Sequence, residues 1–481
     1  MVIYNTLSEK KEELEKPSKK ELRLFVCGPT VYDHSHIGHA RTYIAFDVIA
    51  NYLRSLGYKL FYLQNITDID DKIINRANNE KKSAKKISSF FTKEYLKDVK
   101  SLGIKSVNKY SPASKYIKEI QQQISQLLDK GYAYTTSSGV YFEIKKFADY
   151  GKLSKQDLNA IHSGWRIEPD PEKKDPMDFV LWKFKKQHAN SAPPPNGSGN
   201  AKAPMQIINE EPSWQSPWGG GRPGWHIEDT AITEKFFGPQ YDLHGGAIDL
   251  KFPHHESEIA QQEAISDKQP MVRFWLHTGF VLVNGEKMSK SLNNFITIRD
   301  FLKNYSSDVL RYLIVSHHYR SPIDYSDNLA EQAKNAIANI MEFLTKLSII
   351  KKSKKSAEEL PIANFENKFQ NAMNDDFNTP LAFAAIFNLI NEINPKIWDL
   401  SKKDAKKIIK WTRGKLNTFK IAVKLPKIPL KIRFLAKKRE LFRVHEQFTK
   451  ADDLRKTINA LGYSIEDTPE GPLILILNEQ K

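Results

Sequence analysis

Cysteine is nearly absent from this chain of 481 residues, which contains a single one, Cys27. One cysteine cannot form an intramolecular disulfide, which excludes the disulfide-stabilised secreted classes and predicts a cytoplasmic location. Long apolar runs are also absent, since a run such as residues 472–477 is far shorter than the roughly 18 residues that a membrane helix needs. The first 23 residues are charged throughout without an apolar core, so we expect neither a signal peptide nor a membrane as partner.

Acidic residues are too few to balance the basic ones, and the net charge is +16. Residues 401–440 carry fifteen Lys and Arg against Asp404 and Glu440, a surplus of +13 that accounts for most of the imbalance. Such a dense basic block is typical of proteins that bind a polyanion, and Trp411 within it offers a ring on which a nucleic-acid base could stack. The alternative is a solvated basic face that only keeps the protein soluble.

Apolar periodicity near the N-terminus predicts a strand, a helix and a second strand. Residues 22–28 are a short apolar run, residues 37–53 place apolar side chains on two adjacent helical stripes, and residues 59–64 form another apolar run. A β-α-β unit of this length joins parallel strands, so we expect an α/β fold around a parallel sheet.

The rest of the chain alternates between helical patterns, short strands and one irregular stretch. We predict two helical regions and two strands, at residues 70–103, 111–130, 139–144 and 178–184. Residues 188–204 are rich in Pro, Gly, Ser and Asn, which predicts a surface loop without a role of its own. From about residue 298 the pattern is mostly helical and ends in two helices followed by one or two strands.

The tetrapeptide His36-Ile37-Gly38-His39 stands at the predicted start of the buried helix, directly after the first strand. A helix N-terminus offers unpaired N–H groups and a positive dipole end, which attract phosphate. Two imidazoles add donors for charge that develops on phosphoryl oxygens, and Gly38 permits a ligand to approach the backbone closely. The Walker A pattern is absent, so this would be a different kind of phosphate site. The alternative is that the two histidines only cap the helix or pack near its start.

A second polar motif follows an Asn-Gly turn signal in the middle of the chain. Its residues are Lys287, Met288, Ser289, Lys290 and Ser291. Two ammonium groups three positions apart on a polar loop can clamp a polyphosphate, while the alternative is an ordinary solvated basic turn.

The two motifs, in this order, resemble the signature pair of class I aminoacyl-tRNA synthetases. The residues around them closely resemble the cysteinyl-tRNA synthetase family. The segments that carry the resemblance are FVCGPTVYDHSHIGHAR (25–41), NITDIDDKI (65–73), GRPGWHIE (221–228), HGGAIDLKFPHHESEIAQ (244–261) and GFVLVNGEKMSKSLNNF (279–295). The likeness extends from about residue 26 to 325 and resumes more weakly at NDDFNTPLA (374–382).

This resemblance implies a fold and a domain order. We expect a Rossmann-like parallel-sheet catalytic domain over residues 1–297, with an inserted segment at about 110–205. A helical bundle would follow over residues 298–415, and a small anticodon-binding domain over 416–481. The implied partners are tRNA(Cys), ATP and L-cysteine, and we expect a monomer.

The resemblance also implies the activity, which is cysteine–tRNA ligation with ATP and Mg²⁺. Its catalytic residues would be His36, His39, Lys287 and Lys290. The implied ATP-binding residues are Gly38, Ser289, Lys290 and Ser291. The implied cysteine pocket contains Gly28, Thr67 and Trp225.

A metal site is readable in part without the family. His254 and Glu258 are four positions apart, so on a helix they share a face, although such a pair is more often structural. The resemblance implies one zinc per chain, bound by Cys27, position 229, His254 and Glu258. Position 229 is Asp where the family has Cys.

The departure at Asp229 leaves the site workable, because Asp also binds zinc, but it weakens the preference for soft metals. The alternatives are a harder divalent ion, an empty site, or His226 as the missing ligand. In the family the metal would select cysteine over serine by binding the substrate sulfur, which shape alone discriminates poorly.

Two rival functions stay open at this level. One is a cysteine ligase of the same fold that acts on a small amine, which the basic C-terminal third disfavours. The other is a non-catalytic tRNA- or nucleotide-binding relative, which the intact histidine and lysine motifs disfavour.

Overall fold

A computed structural model describes residues 1–16, 18–156, 170–185, 211–288, 294–351, 360–425 and 427–477. By its internal contacts the chain divides into two compact units. The first contains residues 1–304 and 319–324, and the second contains residues 305–318 and 325–481. The predicted domain boundaries at residues 297 and 415 stay predictions.

The strands and helices are numbered in chain order. The strands are β1 (Val2–Asn5), β2 (Lys10–Glu13), β3 (Leu22–Val26), β4 (Leu60–Ile66), β5 (Lys109–Pro112), β6 (Ala133–Thr135), β7 (Gly139–Phe142), β8 (Phe179–Phe184), β9 (Gly221–Pro223), β10 (Tyr241–Ala247), β11 (Val272–Thr278), β12 (Val281–Val283), β13 (Glu286–Lys287), β14 (Ile323–Tyr325), β15 (Tyr463–Thr468) and β16 (Gly471–Ile476). The helices are α1 (Ile37–Ser55), α2 (Asp71–Asn79), α3 (Ala84–Ser101), α4 (Ile117–Asp129), α5 (Trp225–Phe237), α6 (Glu256–Ser266), α7 (Ile298–Asn304), α8 (Ser307–Val315), α9 (Asp327–Ile349), α10 (Ile362–Asn374), α11 (Thr379–Ile393), α12 (Lys402–Thr418), α13 (Leu430–Val444) and α14 (Phe448–Ala460).

The first unit is built around a five-stranded parallel sheet with the order β11-β10-β3-β4-β5. Helix α1 connects β3 to β4, which confirms the predicted β-α-β unit. The two apolar stripes of α1 are buried, with Ala40, Ile44 and Leu53 wholly inaccessible. Burial on two sides fits a helix that packs between the sheet and its surroundings.

A second sheet of the first unit is antiparallel, with the order β6-β7-β8-β9. Strands β7 and β8 confirm the strands predicted at 139–144 and 178–184. Helix α5 begins directly after β9, and the sequence patterns do not predict it. Its apolar residues Ile227, Ala231 and Ile232 are buried, but its polar Glu228, Asp229 and Thr230 are buried too, so it lacks the polar face of an amphipathic helix.

The second unit is helical and ends in a small α-β subdomain. Helices α8 to α12 precede the helix pair α13 and α14, and the antiparallel pair β15 and β16 follows, as the sequence predicts. A compact core of Ile432, Ala436, Ile458 and Ile465 holds this last part together. Within the described parts of the chain, no helix has the length and apolar character that crossing a membrane requires.

Candidate active site and metal centre

A cavity of about 320 Å³ lies at the carboxyl ends of the parallel strands, the edge at which such sheets bind ligands. Its walls come from the segments after β3, β10 and β11 and from the beginnings of α1 and α5. The lining includes Cys27, Gly28, His36, Gly38, His39, Trp225, Asp249 and Lys287. Residues from both signature motifs, from the predicted cysteine pocket and from the predicted metal site therefore share one cavity.

His36 and His39 cap α1 and also face the cavity. The N–H of Gly38 donates to His36 Nδ1 at 3.0 Å, and the N–H of His36 donates to His39 Nδ1 at 3.3 Å. Since each Nδ1 accepts a hydrogen bond, each neutral imidazole carries its proton on Nε2 and keeps a donor. The two histidines therefore do cap the helix, as the alternative interpretation of the motif expects. The caps use only Nδ1, so the Nε2–H groups can still donate to a ligand.

Burial keeps both imidazoles neutral. Desolvation lowers the pKa of His36 to about 4. Burial lowers the pKa of His39 well below its ordinary value, and the neighbouring His36 lowers it further. The two histidines therefore act as neutral donors at physiological pH.

The second motif begins at a hairpin beside the cavity. Asn284 and Gly285 adopt positive φ angles of 52° and 78° between β12 and β13, which confirms the predicted turn. The Nζ of Lys287 lies 3.6 Å from Asp249 Oδ2. Ser289, Lys290 and Ser291 lie outside the described residues.

The predicted cysteine pocket is assembled from three elements. The N–H of Gly28 donates to Asn65 Oδ1, and a Cβ at position 28 would lie 1.9 Å from the Asn65 carbonyl oxygen, so only glycine fits there. Thr67 follows β4 and is buried. Trp225 opens α5, stacks on His254 with ring centroids 4.1 Å apart, and is 38% exposed.

The four predicted metal ligands converge. One donor atom from each of Cys27, Asp229, His254 and Glu258 lies within 4.8 Å of the others, and all four residues are buried. His254 Nε2 lies 3.1 Å from Asp229 Oδ2 and 3.1 Å from Glu258 Oε1. His226 is not in this group, because it meets His254 from the other side with Nδ1 to Nδ1 at 2.8 Å.

The donor set fits a divalent cation. Asp229 Oδ1 and Glu258 Oε2 are buried and have no hydrogen-bond partner among the described residues. Desolvation raises the pKa of the Cys27 thiol well above its ordinary value, and the Glu258 and Asp229 carboxylates raise it further. Burial and Asp229 also raise the pKa of Glu258. A cation among these groups would reverse that balance and favour their ionised, ligating forms.

Two histidines that the sequence reasoning missed join the same cluster. His244 Nε2 and His255 Nε2 lie 3.4 and 3.1 Å from Cys27 Sγ. Their other ring nitrogens meet Tyr241 Oη and His277 Nε2, at 2.7 and 2.8 Å. With Cys27 and Glu258 they form a second group of metal-ligand geometry. His244 lies within β10 and His255 follows His254 directly, and neither position forms a sequence pattern that would predict a metal ligand.

Two carboxylates were also missed. Asp249 lines the cavity beside Lys287, and Glu228 lies wholly buried on α5 between Ile227 and Asp229. Burial raises the pKa of Glu228 well above its ordinary value, and the neighbouring carboxylates of Asp229, Asp68 and Asp70 add to the rise.

Comparison with protein families matches the catalytic domain of class I (C) tRNA synthetases over residues 13–202 and 205–335, and the DALR domain over residues 368–414. A cysteine–tRNA ligase of Thermococcus onnurineus is 41% identical over 489 aligned residues, 98% of each chain. One of Thermoplasma acidophilum is 43% identical over 471, covering 97% of this chain and 98% of the relative.

Solved structures of class I synthetases share the fold at low sequence identity. Mycobacterium tuberculosis methionyl-tRNA synthetase with methionyl-adenylate superposes with a TM-score of 0.58 at 13% identity, covering 84% of this chain and 90% of that one. A LeuRS–tRNA complex of Agrobacterium radiobacter K84 superposes with a TM-score of 0.58 at 11% identity, and the match covers 83% of each chain. The expected α/β class I architecture is therefore confirmed.

Proposed function

This chain belongs to the cysteine–tRNA ligase family of class I aminoacyl-tRNA synthetases, and we propose how its own residues carry out that activity. The ligase activates cysteine with ATP and transfers it to tRNA. The observation that supports our assignment of roles is that one cavity is lined by residues of both signature motifs, by Gly28 and Trp225 of the cysteine pocket, and by Cys27, which belongs to the metal donor set.

The first step joins cysteine to AMP. A carboxylate oxygen of cysteine attacks the α-phosphorus of ATP, the bond to the bridging oxygen breaks, and diphosphate leaves. The attacking carboxylate is already ionised at neutral pH, so this step needs no general base. In the second step a hydroxyl of the terminal ribose of tRNA(Cys), the 2′-hydroxyl first by class resemblance, attacks the carbonyl carbon and AMP leaves.

His36 and His39 stabilise negative charge on the phosphoryl oxygens. Their Nε2–H groups are fixed by the caps on Nδ1, so they are donors already oriented before ATP binds. Gly38 lets the phosphates approach the helix start, where a Cβ would lie 2.8 Å from the His36 ring.

Lys287 and Lys290 hold the leaving diphosphate, together with Ser289 and Ser291, and Mg²⁺ accompanies the ATP. Lys287 now pairs with the half-exposed Asp249, and such a surface pair is worth about 0–1 kcal/mol. A polyphosphate therefore displaces that pairing at little cost. The parts given to residues 289–291 rest on the motif alone.

Cys27, Asp229, His254 and Glu258 would hold one zinc ion. When bound, zinc would accept the substrate thiolate and discriminate against the hydroxyl of serine. The protein's own contribution is to orient the donors: His226 meets the second ring nitrogen of His254, which sets the direction of Nε2. Gly28, Thr67 and Trp225 then surround the rest of the amino acid.

The C-terminal part of the chain would bind tRNA(Cys), with residues 298–415 as a bundle and residues 416–481 as the anticodon-binding domain. Helix α13 supports this proposal, because Phe434 is 67% exposed among the basic residues Lys431, Arg433, Lys437 and Lys438. An exposed aromatic ring beside cations is suited to stack on an unpaired base. We further propose that the protein acts as a cytoplasmic monomer.

The test of this function is charging of a tRNA(Cys) transcript with labelled cysteine. We expect cysteine to be esterified to the tRNA in an ATP-dependent reaction that a tRNA(Ser) transcript does not support. Adenylate formation without charging would favour the ligase of a small amine. Absence of both reactions would favour the non-catalytic relative.

A further inference from the structure

A second cavity, of about 220 Å³ as the described residues bound it, adjoins the catalytic cavity at Trp225, whose side chain lines both. Its walls come from β7 and β8 of the antiparallel sheet, from the beginning of α5 and from the segment that leads into α6. An apolar cavity of about 150 Å³ can hold benzene, so this one has room for a base of two rings. Its aromatic lining consists of Tyr141, Tyr150, Phe179, Trp225, His226 and Phe252.

Two of these rings are accessible enough to meet a ligand. Trp225 is 38% exposed, and Phe179 is half-buried at the start of β8. The Phe179 ring lies edge-on to the His226 ring, with centroids 5.2 Å apart and an angle of 83° between the planes. Partly exposed aromatic rings beside a cavity are suited to stack on a nucleic-acid base.

A pair of hydroxyl groups supplies the cavity with a polar edge. Tyr150 Oη and Ser257 Oγ lie 3.0 Å apart, and both residues are buried. Two hydroxyl groups carry two protons and their mutual hydrogen bond uses one, which leaves one proton to donate to a ligand and lone pairs to accept from it. Adenine offers the matching groups, because its ring nitrogens accept and its amino group donates.

Lys173 adds a positive charge to the lining of this cavity. Its Nζ lies 5.4 Å from the centre of the Tyr141 ring, so the cation is adjacent to the aromatic wall. Lysine side chains commonly contact the phosphates of a nucleic acid. The cavity thus combines aromatic rings, a hydroxyl edge and a cation, which together suit a nucleotide with an adenine base.

We propose that this cavity, here called the adenine cavity, binds the base of the terminal adenosine of tRNA(Cys). The inference rests on the proposed function, in which the ribose of that nucleotide attacks the carbonyl carbon of the activated cysteine. The base must then be held within one nucleotide of the catalytic cavity, and a cavity that shares Trp225 with it meets this requirement. The residues assigned to the ATP phosphates, His36, His39 and Lys287, line the catalytic cavity instead, which favours tRNA over ATP as the source of the adenine.

The first test fills the adenine cavity. Met177 lines it just before β8 and is half-buried, so Met177→Trp places a large side chain at the proposed position of the base. Because stacking of the terminal base is lost, we expect kcat/KM for tRNA(Cys) in charging to fall about 10- to 100-fold. The KM values for ATP and cysteine in ATP–diphosphate exchange should stay within about twofold of the wild type.

A matched control is Gln126→Trp, which puts the same side chain into another surface cavity of the first unit, beside Glu234. Gln126 is half-buried like Met177, and we expect its replacement to change neither reaction by more than about twofold. A raised KM for ATP in the Met177→Trp protein would show that the cavity takes the adenine of ATP and would overturn the proposal. Unchanged charging by that variant would overturn it as well.

A second measurement uses the wild-type protein and does not depend on the folding of a variant. A tRNA(Cys) transcript that ends in 8-azidoadenosine is bound and irradiated, and the crosslinked peptides are mapped by mass spectrometry. We expect crosslinks within residues 176–180 or 252–257, which line the adenine cavity. Crosslinks confined to other segments would contradict the proposal. If the wild type charges no tRNA, the proposed function fails and this inference with it; if it charges tRNA and the crosslinks lie elsewhere, only this inference fails.

Discussion

Asp229 is the residue at which the family resemblance implies the largest departure, because the resemblance implies a cysteine there. Its carboxylate lies in a buried group of possible metal donors with Cys27, His254 and Glu258. The substitution leaves one sulfur donor, one nitrogen donor and two oxygen donors, which is a harder site than one with two thiolates. Such a site still suits zinc, although it should tolerate harder divalent ions better.

Variants at position 229 test whether the carboxylate is a ligand. We expect Asp229→Cys to keep or raise cysteine activation, because it restores a thiolate. We expect Asp229→Ala to lower metal affinity by more than the roughly 10- to 100-fold that loss of a supporting partner costs. The measurement is metal per chain after dialysis against a graded chelator, alongside ATP–diphosphate exchange.

A suitable control is Asp178→Asn, since Asp178 is buried but satisfied by the hydroxyl of Tyr134 at 2.7 Å. This variant should retain its metal. Equal metal content in the Asp229→Ala protein and the wild type would show that Asp229 is not a ligand.

The neutral histidines of the first motif predict a flat pH profile. The pKa of His36 is lowered to about 4, so its neutral form persists as the pH falls through the ordinary histidine range. Protonation at lower pH removes the Nδ1 acceptor that caps Gly38, so activity should fall only as the pH nears 4. Exchange rates measured between about pH 5 and 8, with unfolding monitored in parallel, check this. A fall centred near pH 6.5 without unfolding would contradict it.

At the residue scale, part of the candidate site can be predicted from the sequence, because its residues stand at fixed spacings within recognisable motifs. The helix-capping histidines and the four converging donors are all in segments whose pattern is recognisable. His244, His255 and Glu228 could not be found in this way, because their significance comes from three-dimensional proximity to Cys27 and Thr67. The sequence alone does not show that a carboxylate such as that of Glu228 is buried, because burial depends on which residues surround it in the fold.

At the scale of elements, the residues of the basic block at 401–440 are not all part of one exposed surface. Trp411 is not the stacking ring that the sequence predicts, because it is buried in the helical region and its indole N–H donates to Glu366 Oε2 at 2.7 Å. Arg439 of the block pairs with Asp467, as do Arg443 and Arg455 beyond it, so part of the positive charge in this region is already engaged. An exposed aromatic residue near lysines in the sequence is instead Phe434 on α13, which lies between Lys431 and Lys437.

Replacement of Phe434 by Ala tests the role of α13. If Phe434 stacks on a base, its loss costs about 1–3 kcal/mol of tRNA binding, while the adenylation step does not need that contact. We expect a raised KM for tRNA in charging and unchanged ATP–diphosphate exchange. Leu381→Ala is a matched exposed apolar control, with Leu381 57% exposed on α11. Equal effects of the two variants on charging would argue against stacking.

Element prediction succeeded where periodicity was strong and failed where it was mixed. The two stripes of α1 and the apolar runs of β3 and β4 follow directly from their sequence patterns. Helix α5 escaped prediction because it buries Glu228, Asp229 and Thr230 together with its apolar residues. These polar residues are buried and not exposed to solvent, and Asp229 among them belongs to the group of possible metal donors.

At the scale of the whole molecule, residues 188–204, whose composition predicts a surface loop without a role of its own, lie outside the described residues. Deletion of residues 190–204 should leave exchange and charging within about twofold of the wild type, because its composition predicts a surface excursion. Steady-state kinetics of both reactions check this. A large loss of either activity would mean that the insert contributes to the enzyme.

The most direct test of the whole account is ATP–diphosphate exchange with each of the twenty amino acids, on protein whose metal content is measured in the same sample. The account predicts exchange driven by cysteine alone, with about one zinc per chain. Comparable exchange with serine, or cysteine-dependent exchange by protein that holds no metal, would contradict the claim that Cys27, Asp229, His254 and Glu258 form a working, cysteine-selective metal site.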